Sequence, residues 1–167
     1  MKTTLKNNLL NFSLVFLLTL LSFNSCSKDE IISTPQKQGQ IKVEIKEINF
    51  TEIGKGILDG NGSEGITQSN MVITNDNDWQ NLINQMNSVN NVTDEFTETN
   101  IDFNTYQVIT VFTEIKPTNW EVEISSIIEN ENNLTVSIIE TEFDFTVITQ
   151  PFHIVKIPIT SKGIVFE

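Results

Sequence analysis

The 167-residue sequence contains no arginine, a single histidine, His153, and a single cysteine, Cys26. These absences remove most catalytic and metal-binding constellations before any pattern is sought. A serine–histidine–aspartate relay has only His153 from which to draw its base. A zinc site built on several histidines or cysteines lacks its ligands, and an intramolecular disulfide lacks its second thiol. Positive charge is scarce too. Ten lysines stand against 22 acidic residues, a formal charge of −12. Such a surface repels phosphate backbones, which excludes nucleic acid as a partner. No cofactor is expected.

What is present begins with an export pattern over residues 1–25. Lys2 and Lys6 are followed by an apolar stretch over residues 12–21, interrupted only by Ser13 and Thr19. That run falls short of the roughly 20 apolar residues a bilayer span needs, and it has the proportions of a signal-peptide core. Phe23-Asn24-Ser25-Cys26 follows. A small residue before a cysteine at this point resembles the lipobox of bacterial lipoproteins, in which the cysteine is acylated and becomes the mature N-terminus. The alternative is a secreted protein with an incidental thiol, but a lone cysteine has no disulfide to make, and acylation accounts for it better. Loss of Lys2 and Lys6 with the leader takes the formal charge from −12 to −14. Ser27-Lys28-Asp29-Glu30 resembles the surface-export tag of lipoproteins in one group of Gram-negative bacteria, so the expected location is the outer membrane, facing outwards. A periplasm-facing anchor is the second choice. Residues 26–40 form a tether with an r.m.s. span of roughly 20 Å.

Residues 41–167 read as one domain. Ile41-Lys42-Val43-Glu44-Ile45-Lys46 alternates apolar and charged side chains, the mark of a half-buried strand. A second apolar segment, residues 48–58, is interrupted by Gly54 and Gly56, and Asp59-Gly60-Asn61-Gly62-Ser63-Glu64-Gly65 is a turn. Met71-Val72-Ile73 is a short strand. A helix starts at Asn75-Asp76-Asn77-Asp78, whose side chains suit a helix N-terminus. It carries Trp79, Leu82, Ile83 and Met86 on one stripe. Residues 87–100 are expected to be a long polar loop. Strands follow over residues 106–113, 120–128, 134–143, 147–157 and 164–166, with a hairpin turn at Asn130-Glu131-Asn132-Asn133. The fold class is α+β: a twisted antiparallel β-sheet with one amphipathic helix packed on a face.

Three features invite a chemical reading. Glu121 and Glu123 share one strand face, as an acid–base pair does, but they alternate with the apolar Trp120, Val122 and Ile124 and read as the solvated face. Asp59-Gly60-Asn61-Gly62-Ser63 has the oxygen spacing of a calcium loop, yet Glu64 stands where such a loop needs glycine and Asn70 where it needs a bidentate glutamate. It is a turn. His153, between Phe152 and Ile154, reads as a structural or surface histidine.

The order of these signals resembles the PrcB C-terminal-domain family. It is carried by Ser63-Glu64-Gly65-Ile66, the helix with Trp79, Asp102-Phe103 ahead of Tyr106-Gln107-Val108-Ile109, Lys116-Pro117-Thr118-Asn119-Trp120, and Gln150-Pro151-Phe152-His153-Ile154-Val155-Lys156-Ile157-Pro158. The family's namesake is a lipoprotein accessory subunit of a bacterial surface protease complex. The resemblance implies a protein-interaction or protease-accessory role without catalysis, the partner being an envelope or secreted protein such as a protease. Lys116, Pro117, Trp120 and His153 are the candidate interaction residues. Cell-surface carbohydrate binding, using exposed Trp120 and Tyr106, is the alternative, and a carboxylate hydrolase a distant third.

Overall fold

The computed structural model describes residues 45–144 and 146–167. The leader, Cys26, the tether and most of the strand expected over residues 41–46 lie outside the described residues. Of that strand only Lys46 is seen paired, in β1 (Lys46–Glu47). Then come β2 (Thr51–Asp59), β3 (Ser69–Ile73), α1 (Asp76–Met86), a 3-10 turn (Val92–Glu95), β4 (Tyr106–Phe112), β5 (Asn119–Glu129), β6 (Asn133–Phe143), β7 (Thr149–Pro158) and β8 (Gly163–Phe166).

The helix forms where its caps and stripe dictate. The Asn75 side chain accepts the Asp78 amide at 3.0 Å, satisfying one of the unpaired donors of the first turn. Asp76 and Asp78 put negative charge at the positive end of the dipole. Trp79, Leu82, Ile83 and Met86 are all buried.

The strands build two sheets where one was expected. A central sheet has the order β2-β7-β4-β3, and an outer sheet the order β1-β5-β6-β8. The described residues therefore form three layers: α1, the central sheet, the outer sheet. Between helix and central sheet lie Ile53, Leu58, Trp79, Met86, Val108, Phe112, Phe152 and Ile154. Between the sheets lie Ile109, Val111, Val122, Ile124, Ile127, Leu134, Val136, Val155 and Ile157. β4 and β7 give alternate residues to each core, which is why their apolar residues run back to back and few of their positions meet solvent.

The pairing is antiparallel with one exception: β8 runs parallel to β6, with Asn133 opposite Gly163 and Val136 opposite Phe166. The expected all-antiparallel sheet is corrected here. Parallel neighbours need a crossover, and β7 supplies it by crossing to the central sheet and back.

Residues 87–100, expected to be a long polar loop, contain the 3-10 turn and Phe96, whose ring lies 6.4 Å from Trp79 and 6.1 Å from Phe152. Phe96 sits directly over Gly54, so that a Cβ there would overlap its ring. The glycines that interrupt the apolar segment thus continue β2 rather than break it. Gly54→Val is expected to cost about 1–3 kcal/mol through this overpacking, seen as a lower urea midpoint. An unchanged midpoint would show that Phe96 is free to move aside.

Candidate functional site

Three connections meet at one end of the sheets. The glycine-rich turn after β2 is closed by Glu64, which is buried and accepts the Asp59 amide at 2.9 Å. Gly62 and Gly65 take φ of 68° and 69°, the left-handed conformation that glycine tolerates best. The β4–β5 connection touches this turn, since a Cβ on Gly62 would lie 2.9 Å from Ile115 Cδ1. It also bonds the first residue of β7, where the Lys116 amide donates to Thr149 O at 2.7 Å and the Thr149 amide returns a bond to Lys116 O at 3.0 Å. The Ile148 carbonyl fills the space beside Gly60. Phe143 is paired with Asn119, at the start of β5.

This end leaves large apolar side chains in water. Ile115 is 45% exposed, Phe143 39%, Val147 47% and Ile148 55%. Apolar exposure grouped in this way is commoner at interaction sites than elsewhere on protein surfaces. Val147 and Ile148 were expected inside a strand over residues 147–157. β7 instead starts at Thr149, which strands them on the rim.

Lys116, Pro117 and Trp120 belong to the same end. Pro117 is exposed and Trp120 half-buried. The Trp120 indole N–H donates to Thr118 Oγ1 at 2.8 Å, and the Lys116 ammonium sits 4.7 Å from the centre of its ring. Lys116 also meets Glu140 at 2.8 Å and Glu114 at 3.1 Å. The Glu140 hydrogen bond raises the Lys116 pKa above the ordinary lysine value, against partial burial and with help from Glu114. Tyr106 is covered similarly, with the Lys156 ammonium 4.7 Å from its ring centre.

Beside the rim, a cleft of about 520 Å³ separates the edges of the two sheets, lined by Glu52, Lys55 and Ile57 of β2 and by Trp120, Glu121 and Phe143 opposite. Lys55 reaches across it to Glu121 and, at 3.6 Å, Glu123. Burial depresses the Lys55 pKa, but Glu121 and then Glu123 outweigh that and leave it raised. Glu121 and Glu123 are exposed, as expected of the solvated face.

His153 is placed differently from the other three candidates. It is 2% exposed, on the inner face of β7, and its role as a surface contact is corrected on that ground. Its Nδ1 accepts the Ile124 amide at 2.7 Å, tying the central sheet to the outer one, and its Nε2 lies 3.1 Å from Glu52 Oε2. An Nδ1 that accepts leaves the proton on Nε2, which donates to Glu52. Desolvation holds the His153 pKa below its usual value, and Lys55 adds to this, while Glu52 and Glu123 oppose it. Glu52 and Lys55 escaped the sequence reading because their roles depend on which strand edge lies across from β2. No family model matches the sequence, and no curated protein or solved structure compared with it matches either.

Proposed function

We propose that this chain is a lipid-anchored bacterial surface protein whose domain is a non-enzymatic interaction module, holding or regulating an envelope or secreted protein such as a protease. The observation that carries this reading is the apolar rim: Ile115, Phe143, Val147 and Ile148 exposed around Lys116, Pro117 and Trp120. The export pattern, Cys26 and the resemblance to the PrcB C-terminal-domain family support it from the sequence. The non-enzymatic part draws on His153, which spends both ring nitrogens on holding the fold together. Carbohydrate binding has less support, because Trp120 and Tyr106 each have a lysine ammonium over the ring.

A photocrosslinker placed at Ile148 on living cells is expected to capture one protein stoichiometrically, and Ile115→Glu to abolish capture. Co-purification from detergent-solubilised membranes with no stoichiometric protein would overturn the reading. The anchor is tested separately. Cys26→Ala is expected to abolish lipid labelling and to leave the leader uncleaved, since two or more acyl chains are what make attachment stable. Labelling that survives the substitution would remove Cys26 from the account. External protease on intact cells should degrade the domain; protection until the outer membrane is breached would refute outward display.

A further inference from the structure

We propose that the outer edge of β2, open at Lys55 and Ile57, receives a short extended segment of a partner protein by main-chain pairing, and that this segment carries basic side chains. The proposal rests on the interaction-module reading and names the partner's chemistry.

β2 is the end strand of the central sheet, with β7 on one side only. Bonding along β7 shows which way each β2 residue turns its backbone. The Pro151 carbonyl accepts the Thr113 amide at 3.0 Å, and Thr149 exchanges bonds with Lys116, so both residues face the β4 side. Direction alternates along an antiparallel strand. Gln150, Phe152 and Ile154 therefore turn towards β2, where they stand opposite Leu58, Gly56 and Gly54. Lys55, Ile57 and Asp59, between and beside those three, turn their amides and carbonyls outwards.

The fold closes this outward row at both ends. The Thr97 amide donates to Ile53 O at 2.8 Å, and the Asp59 amide donates to Glu64 Oε1 at 2.9 Å. Between these two bonds, no described residue pairs with the amide or carbonyl of Lys55 or of Ile57. The gap is open to solvent: Ile57 is 47% exposed, and Lys55 and Gly56 are half-buried. Main-chain pairing at such an edge gives affinity without demanding one sequence.

The surroundings have room for a strand and set its chemistry. A cleft of about 520 Å³ lies on the outer-sheet side of the edge and one of about 530 Å³ on the helix side, and Lys55, Gly56 and Ile57 line both. A strand added to β2 sends alternate side chains into the two clefts. The first has Glu52, Glu121 and Phe143 in its wall, the second Asp94, Glu95 and Phe96. Lys55 is the only cation among the residues lining either, and it is already held by Glu121 and Glu123. A basic segment thus finds carboxylates on both sides, where an acidic one meets its own charge. A second copy of this chain is a poor occupant, because its edge brings the same carboxylates with it.

The test uses the full chain in detergent micelles and three short synthetic peptides: alternating lysine and valine, alternating glutamate and valine, and the lysine–valine peptide N-methylated at alternate backbone nitrogens. Calorimetric titration is expected to show the first binding at least about tenfold more tightly than either of the others, the loss of backbone bonds accounting for the N-methylated case. Hydrogen exchange should slow at the Lys55 and Ile57 amides on binding. Ile57→Pro removes an outward amide that the sheet does not use, at an edge where proline is tolerated. It should weaken binding about tenfold with an unchanged circular dichroism spectrum. If that variant loses its spectrum, the N-methylated peptide makes the same test from the partner's side. Equal affinity for the N-methylated peptide would reduce the contact to charge attraction and overturn the proposal. So would no binding, protection confined to Ile115 and Ile148, or a peptide-free dimer in sedimentation that already protects Ile57. Any of these failures leaves the interaction-module reading standing if the Ile148 crosslink still captures its partner; loss of that crosslink with the peptide result intact removes the module reading alone.

Discussion

Trp79→Ala is expected to lower unfolding free energy by about 3–5 kcal/mol, the range for emptying a fully buried aromatic site. Trp79 is 0% exposed, and its ring stacks on Phe96 at 6.4 Å with an interplanar angle of 21°. Its indole N–H donates to Thr99 O at 2.8 Å, holding the segment that leads into β4. Alanine leaves a cavity, an unpaired carbonyl and a loosened Phe96 together. Urea unfolding followed by circular dichroism measures this, and Trp79→Phe should lose less because it keeps most of the volume. A loss below about 1 kcal/mol would mean that the helix contributes little to the core it covers.

The second large effect is on pH dependence, through His153. Its folded-state pKa lies below the usual 6.5 because burial penalises the charged ring. The unfolded chain therefore takes up a proton first as pH falls. Stability is complete above about pH 6.5 and declines below it, until the folded-state pKa is reached. The slope is at most about 1.4 kcal/mol per pH unit. The structural reason is specific: a proton on Nδ1 would set one N–H against another at the Ile124 amide. Urea midpoints at pH 7.5, 6.5 and 5.5 should fall for the natural chain. His153→Gln should be less stable throughout by about 1–3 kcal/mol but nearly level across that window. Parallel curves for the two proteins would show that carboxylates, not His153, set the acid response.

The helix was legible in the sequence because its signals are local. Asn75, the acidic first turn and the stripe from Trp79 to Met86 all act within a few residues of one another. Most strands and both turns are legible for the same reason, and Lys116, Pro117 and Trp120 stand together in one short segment of the sequence. The division into two sheets was not read, although Val108-Ile109, Val111-Phe112 and Ile154-Val155 carry it. Adjacent apolar residues in a strand need a cover on each side, which a single sheet with one helix does not provide. The parallel pairing of β8 depends on where the chain returns after β7, a long-range matter with no local mark. The same holds for the rim. Phe143 and Ile148 look like ordinary strand residues in the sequence and Ile115 like part of a connection, and only the place where each strand stops puts them together in water.

β4 and β7 are the party wall of this molecule, each facing one core with its even positions and the other with its odd ones. Neither half of the domain has a private support that survives removal of the other. Damage beneath the helix is felt across the wall, and opening of the outer sheet strips the helix of the strands it leans on. The domain is thus committed to melting as one cooperative unit, and a partner that clamps either side braces all of it.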